Sequence, residues 1–183
     1  MYLLPGLDEK IFHLINGAWA NPVFNVLMPL ITELGTGEVI FLISAICYVL
    51  RRKKDKGALA ILLFAGLTVS YYAVSFLKSA VGRPRPFVVM PDARFFIIEK
   101  SFSFPSAHAT QSFMAATILS GFFISWRVPL FIIAALICYS RVYMGVHFLS
   151  DVAAGAILGT MIGWAILRVA RSAGLMEDRT FQG

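Results

Sequence analysis

Four apolar stretches, at residues 57–77, 106–125, 128–146 and 152–170, each approach or reach the length that carries an α-helix through a membrane. At 1.5 Å per residue, about 20 residues cross a hydrocarbon core of about 30 Å. Lipid offers backbone N–H and C=O groups no partner, so a crossing segment is a helix or a strand of a closed barrel. These stretches lack the alternation of barrel strands. Residues 22–50 supply a fifth, less regular stretch. With 58% hydrophobic and 14% charged residues and a mean hydropathy of +0.77, the chain is too apolar for a water-soluble domain of 183 residues. The expected fold is all-α: one domain over residues 1–183, a polytopic membrane bundle of five or six transmembrane helices.

The opening does not read as a cleavable signal, because Asp8, Glu9, Lys10, His13 and Asn16 interrupt it. Residues 7–18 suit an interfacial amphipathic helix, with Leu7, Ile11, Leu14 and Ile15 on its apolar face. Cys47 and Cys138 sit in apolar surroundings without metal-ligand spacing and read as small core residues. The net charge of +6 is explained by basic residues flanking membrane spans, so no nucleic-acid partner is expected. Crossing parity puts the 51–56 cluster, the Trp126–Arg127 link and Arg168/Arg171 on one face, which the positive-inside bias makes cytoplasmic. The N-terminal helix, the 79–104 loop and the 144–150 junction then lie on the outer side.

Three polar islands share that outer side. In KSAVGRPRP (78–86) the prolines stop a helix, with Lys78 closing it and Arg83 and Arg85 on the loop beyond. In SFSFPSAHAT (101–110), Ser103 is the expected N-cap and Pro105 the first turn of the next helix. Ser106, Ala107 and His108 then offer free N–H groups at a positive helix end, a natural anion site. In SRVYMGVHFLSD (140–151), Arg141 ends one span, Gly145 permits a turn, and His147 and Asp151 are four apart, so a helix from about Val146 lets them pair. A plain Arg141–Asp151 ion pair is the competing structural reading, and it leaves His147 without a role. Charges within a bilayer cost roughly 2.5–3.5 kcal/mol each on insertion scales, so their convergence marks a site. Three cations, a hydroxyl and helix-start amides describe a phosphate receptor, and two histidines add a nucleophile and an acid.

These islands resemble the signature of the type 2 phosphatidic acid phosphatase superfamily. Its lysine, six residues, Arg-Pro is Lys78 to Arg85-Pro86; its Pro-Ser-Gly-His is Pro105 to His108; its Ser-Arg, five residues, His, three residues, Asp is Ser140-Arg141, His147 and Asp151. One position departs, since Ala107 stands where the family has glycine; a methyl group is tolerated there if the backbone is helical. The resemblance implies a lipid phosphatase with His147 as nucleophile, Asp151 orienting it and His108 as general acid, then base. Lys78, Arg85, Arg141, Ser106 and the Ala107 amide hold the phosphoryl oxygens. It implies no metal and no cofactor, in keeping with the lack of an aspartate cluster suited to two metals. The implied location is a bacterial inner membrane, with the site facing the periplasm or exterior.

Among family substrates, undecaprenyl diphosphate comes first on size and compact loops, ahead of phosphatidate, phosphatidylglycerophosphate and lipid A. Residues 87–104 are expected to cover the site, and Arg83 or Arg94 to meet a second phosphate. Glu33 and Glu38, flanking Gly35 and Gly37, read as marking a kink or lining the lipid path, and Tyr71 and Tyr72 as packing or anchoring hydrogen bonds between helices. A non-enzymatic lipid-phosphate carrier is the rival class: it explains the cations and leaves both histidines idle. Oligomeric state stays open.

Overall fold

The computed structural model describes residues 6–50 and 56–176, and within these every regular element is helical. The N-terminal helix α1 (Leu7–Phe12) continues as a π-helical segment, His13–Ala18. Then come α2 (Pro22–Glu33), α3 (Gly37–Leu50), α4 (Lys56–Val81), the short α5 (Pro86–Val89), α6 (Ala107–Phe122), α7 (Arg127–Tyr143) and α8 (Leu149–Ser172). Arg51 to Lys54 of the basic cluster, and the side chain of Cys47, lie outside the described residues. Cys138 is free and packs among apolar neighbours, as expected.

Three helical stretches are long and apolar enough to cross a membrane: Gly57–Val89, Ile124–Tyr143 and Leu149–Ser172. A fourth arises only if Leu7–Ala18 and Pro22–Glu33, bent by 117° to each other, count as one span. The expected five or six are thus not reached by length. The fifth apolar stretch is two helices broken at 34–36, where Gly35 lies so close to Ile137 that a Cβ would fall 2.6 Å from its Cγ2. Glu33 and Glu38 flank this break, as the glycines around them suggested. Helix α6, at 16 residues, is short because it is the interior helix: ten of its residues are buried and protein surrounds most of it. Large apolar side chains instead cover the outside of α4 and α8, with Phe64, Phe76, Ile157 and Met161 more than 60% exposed. That distribution is the one a lipid solvent selects. Tyr71 and Tyr72 belong to this outer surface, each over 60% exposed and edge-on to one another, rather than packed between helices.

The site is positioned by the α6–α8 contact. Gly155, Gly159 and Gly163 repeat every fourth residue along α8 and face α6, the small-residue spacing that lets helix backbones touch. A Cβ on Gly155 would lie 2.7 Å from the Ser106 carbonyl oxygen, one on Gly163 2.9 Å from that of Met114, and one on Gly159 would run into the Thr110 carbonyl. These obstacles are backbone atoms that cannot step aside. Gly159→Leu is therefore expected to destabilise the bundle by about 3 kcal/mol or more through overpacking. Thermal unfolding in detergent checks it, with Gly57→Ala, where a Cβ meets nothing within 4 Å, as the silent control.

The apolar core falls into two clusters. One, around Leu59, Leu63, Met114, Ile118 and Ile162, lies within the bundle. The other, around Phe12, Met28, Val142, Tyr143, Phe148 and Val152, sits under the site and ties α1 and α2 to α7 and α8. The buried face of the N-terminal helix is only partly the expected one: Ile15 is buried and Ile11 packs against the core, but Leu7 and Leu14 do not. Asp8, Phe12, Ile15 and Asn16 are buried, whereas Leu7 and Leu14 are 51% and 42% exposed. Hydrogen bonds explain the rotation: Asn16 Nδ2 donates to the carbonyls of Arg94 (2.8 Å) and Tyr143 (2.7 Å), and its Oδ1 accepts from Arg94 N (2.9 Å).

Candidate active site

The end of α4, the start of α6, the end of α7 and the start of α8 meet at one end of the bundle, so the three islands become one site. Gly82, at φ +61°, ends α4 in the left-handed region that glycine adopts freely, and its N–H bonds to the Lys78 carbonyl at 2.9 Å. The chain then leaves extended at Arg85 before Pro86. Helix α6 begins later than expected: Ser106 is its N-cap and Ala107 its first residue, with Pro105 preceding the helix. Ala107 therefore has the helical backbone that makes its methyl group harmless. Helix α8 begins at Leu149 rather than near Val146, so His147 precedes it. Asp151 caps it instead, its Oδ2 accepting the Phe148 N–H at 2.9 Å.

His147 and Asp151 pair as the spacing predicts, with Nδ1 3.5 Å from Oδ2, and both are buried. Ser103, expected as a helix cap, lies between them: its Oγ is 2.5 Å from Asp151 Oδ2 and 3.3 Å from His147 Nδ1. The other ring nitrogen, Nε2, faces Arg85 Nη1 at 3.2 Å. A guanidinium only donates, so Nε2 must offer its lone pair and the proton belongs on Nδ1, toward Asp151. Burial is the main reason that the imidazole holds a proton weakly; the Asp151 bond opposes it and Arg85 reinforces it, leaving the pKa at about 4. The ring is neutral at physiological pH, as a nucleophile must be.

The centre of the site holds a residue that the sequence reading passed over. Glu99, from the covering loop, places Oε2 2.5 Å from Arg85 Nη2 while its Oε1 bonds to Arg141 Nη2. Burial raises its pKa, and the guanidiniums of Arg141 and then Arg85 overcome that, with His147 and His108 adding to the pull, to hold it at about 2. One carboxylate thus sits within the field of both arginines and both histidines. Two oxygens shared between two guanidiniums is also how a phosphoryl group would be gripped. Arg85 is further held by the Ser101 carbonyl (2.7 Å) and the Val146 carbonyl (2.8 Å), and Arg141 by Thr32 Oγ1 (2.9 Å). Lys78 donates to the Phe102 carbonyl, an acceptor it shares with Arg85. Two buried polar atoms here have no partner among the described residues, Ser106 Oγ and Arg141 Nε. Such groups are expensive unless a ligand meets them.

His108 lies in the first turn of α6, beside Gly35. One turn further on, Ser112 opens an apolar pocket between α3, α6 and α7 lined by Ile40, Ala116, Ile133 and Ile137. The predicted site residues are thus brought together, and the plain Arg141–Asp151 pair is not formed: Arg141 meets Glu99, and Asp151 meets Arg83. The two arginines set aside for a second phosphate are engaged elsewhere. Arg83 is 2% exposed and bonds Asp8 and Asp151; Arg94 bonds the Asn16 carbonyl and Asn25 Oδ1. Glu99 carried no signal that set it apart from Asp92, Arg94 and Lys100 in the same covering loop.

The PAP2 superfamily matches residues 57–174. Among curated proteins, the chain is 31% identical to a lipid A 4'-phosphatase of Bacteroides thetaiotaomicron, over 98% of this chain and 85% of that one. It is 31% identical to phosphatidylglycerophosphatase B of Bacillus subtilis (84% and 77%) and 30% identical to an undecaprenyl-diphosphatase of Sulfolobus acidocaldarius (90% and 79%). Among solved structures, Aquifex aeolicus LpxE superposes with a TM-score of 0.82 at 30% identity, covering 92% of this chain and 99% of that one. The matched span contains all three islands, and with its apolar exterior and its cation-and-histidine site, this integral membrane protein belongs to the PAP2 superfamily of lipid phosphatases.

Proposed function

We propose that the chain hydrolyses a lipid-linked phosphate through a phosphohistidine on His147. The observation that carries this reading is the Glu99 carboxylate gripped by Arg85 and Arg141 beside the His147 lone pair: an anion is already held where a phosphoryl group would be attacked. In the reaction the phosphate displaces Glu99 and its oxygens bond Arg85, Arg141, Lys78, Ser106 Oγ and the Ala107 amide. The Nε2 lone pair of His147 forms a bond to phosphorus as the bond to the lipid oxygen breaks, and His108, which takes up a proton from water as the phosphate anion binds beside it, gives that proton to the leaving oxygen. Asp151 stabilises the imidazolium. Then His108 takes a proton from water, whose oxygen attacks phosphorus as the P–N bond breaks, releasing inorganic phosphate. Fixed cations stabilise each transition state, and positioning supplies much of the rest.

The pocket one turn below His108 suits the substrate's hydrocarbon chain, so the lipid alcohol stays in the bilayer after cleavage. We place the site at the outer face of a bacterial inner membrane, with α3, α4, α6, α7 and α8 as five crossings. Relatives named for lipid A, phosphatidylglycerophosphate and undecaprenyl diphosphate match at 30–31% identity, so size and compact loops no longer rank undecaprenyl diphosphate first. Lipid A, phosphatidylglycerophosphate and phosphatidate therefore stand level with undecaprenyl diphosphate. Phosphate release from these four by the purified protein, with and without EDTA, tests the reading. Release from at least one, unaffected by EDTA, is the expected result; release from none favours the carrier, which needs neither histidine.

Glu99 makes a separate prediction. Substrate must displace a carboxylate that occupies its place, which lowers apparent affinity by the fraction of molecules in which the place is filled. Glu99→Gln removes the charge and keeps the shape, so inorganic phosphate is expected to inhibit about tenfold more tightly. Inhibition constants for phosphate in the two proteins check this, and equal values would show that Glu99 does not compete.

A further inference from the structure

The phosphate site accounts for Lys78, Arg85 and Arg141 and leaves one buried cation without a role. Arg83 places Nη2 2.8 Å from Asp8 Oδ2 and Nη1 2.6 Å from Asp151 Oδ1. Its guanidinium lies over the Phe148 ring at 4.2 Å. Asp8 also takes the Ser150 N–H (2.9 Å) on Oδ1 and lies 2.5 Å from Ser150 Oγ through Oδ2. All three charged side chains are at most 2% exposed. The two oxygens of Asp151 are thus divided, Oδ2 serving Ser103, Phe148 N–H and His147, and Oδ1 serving Arg83 alone.

We propose that Asp8, on the N-terminal helix, and Arg83 are positioning residues that set the orientation and charge of Asp151 and, through it, the basicity of His147. This rests on the reading of His147 as the nucleophile. Two carboxylates and one guanidinium carry a net charge of −1 in a buried setting. Arg83 locks the carboxylate plane of Asp151 so that Oδ2 faces the imidazole. Asp8 limits how strongly Arg83 draws on Asp151, because it takes the hydrogen bond from Nη2 and offsets the guanidinium's charge. A helix expected to lie on the membrane surface thereby becomes part of the catalytic apparatus. The other charged groups facing His147 are Arg85 from the loop after α4, Arg141 from α7, His108 from α6 and Glu99 from the covering loop. Each is left in place by changes at positions 8 and 83.

The sign of the effect separates charge from mere support. Asp8→Asn takes the trio from −1 to 0, which weakens the hold of His147 on a proton and moves the acid limb of the kcat/KM profile to lower pH. Arg83→Met takes it to −2 and moves the limb to higher pH. The double variant returns it to −1 and brings the limb back toward that of the unmodified protein. Shifts of about half a pH unit or more, with kcat reduced about tenfold or more in each single variant, are expected. The measurement uses purified full-length protein in detergent with a short-chain phosphatidate, and thermal unfolding shows that each variant is folded. Should a single variant not be recovered folded, Arg83→Lys, which keeps the charge, carries the test with the double variant, and both should hold the acid limb in place. Limbs of Asp8→Asn and Arg83→Met that move in the same direction, or not at all, overturn the proposal even if kcat falls, as does a limb that moves in Arg83→Lys or in the double variant. Acid-quenched labelling keeps the two readings apart: an unmodified protein that forms no phosphohistidine at position 147 defeats the nucleophile assignment. One that forms it while the variants leave the limb unmoved defeats the positioning role alone.

Discussion

His147→Ala is expected to abolish phosphate release, with a loss of more than about 10⁴-fold, the scale seen when a covalent nucleophile is removed. The fold should survive. Asp151 keeps its bonds to Ser103, the Phe148 N–H and Arg83, so no buried carboxylate is stranded, and the lost ring leaves a void beside Arg85, which retains the Ser101 and Val146 carbonyls. Phosphate release and acid-quenched labelling, on protein shown to be folded by size exclusion, make the check. A variant that retains a tenth of the activity would remove His147 as the nucleophile. Labelling that persists at another residue would relocate the chemistry to His108.

Arg141→Ala is expected to lower kcat/KM by about 10²–10³-fold, the usual effect of deleting one oriented donor to a developing oxyanion. Arg141→Lys should recover little. Arg141 reaches Thr32 with one terminal nitrogen and Glu99 with the other, and keeps Nε unpartnered toward the site. An ammonium cannot reproduce that fork. Steady-state kinetics on both variants, with stability measured alongside, checks this. If the lysine variant matches the unmodified protein, Arg141 acts only as a point charge, and the bidentate grip falls.

Much of the site was legible because its chemistry is written in local spacing. Lys78 and Arg85 flank a helix stop, Ser106 and His108 open a helix, and His147 and Asp151 are four apart; each motif is short, so the chain's own geometry brings its members close. The error at Ser103 shows the limit of this. A serine before Pro105 reads as an N-cap, yet the N-cap lies three residues later at Ser106 and Ser103 turns to Asp151 instead. Capping propensity is local, and here a buried carboxylate competes for the hydroxyl more strongly than a helix end.

Glu99, Asp8 and Arg83 were misread for a related reason. A carboxylate in a polar loop and an acid on an amphipathic helix look like solvated charges, and a sequence does not say which buried cation waits across the fold. Arg83 and Asp8 are separated by 75 residues, and Arg141 and Glu99 by 42. The glycines of α8 could have been noticed, since their four-residue spacing is plain in GAILGTMIG, but spacing alone does not name the partner helix.

The sequence by itself determined that this chain lives in lipid, that it is helical, and that three polar islands converge on one end of the bundle. Those conclusions follow from hydrocarbon thickness, unsatisfied backbone groups and the expense of buried charge, all of which act on local composition. The tertiary structure alone decided which charges are paired: that Glu99 bridges Arg85 and Arg141, that Arg83 belongs to Asp8 and Asp151, and that α1 turns Asp8 inward. Charge pairing depends on distances across the fold in a medium too apolar to screen them, and no local pattern contains those distances.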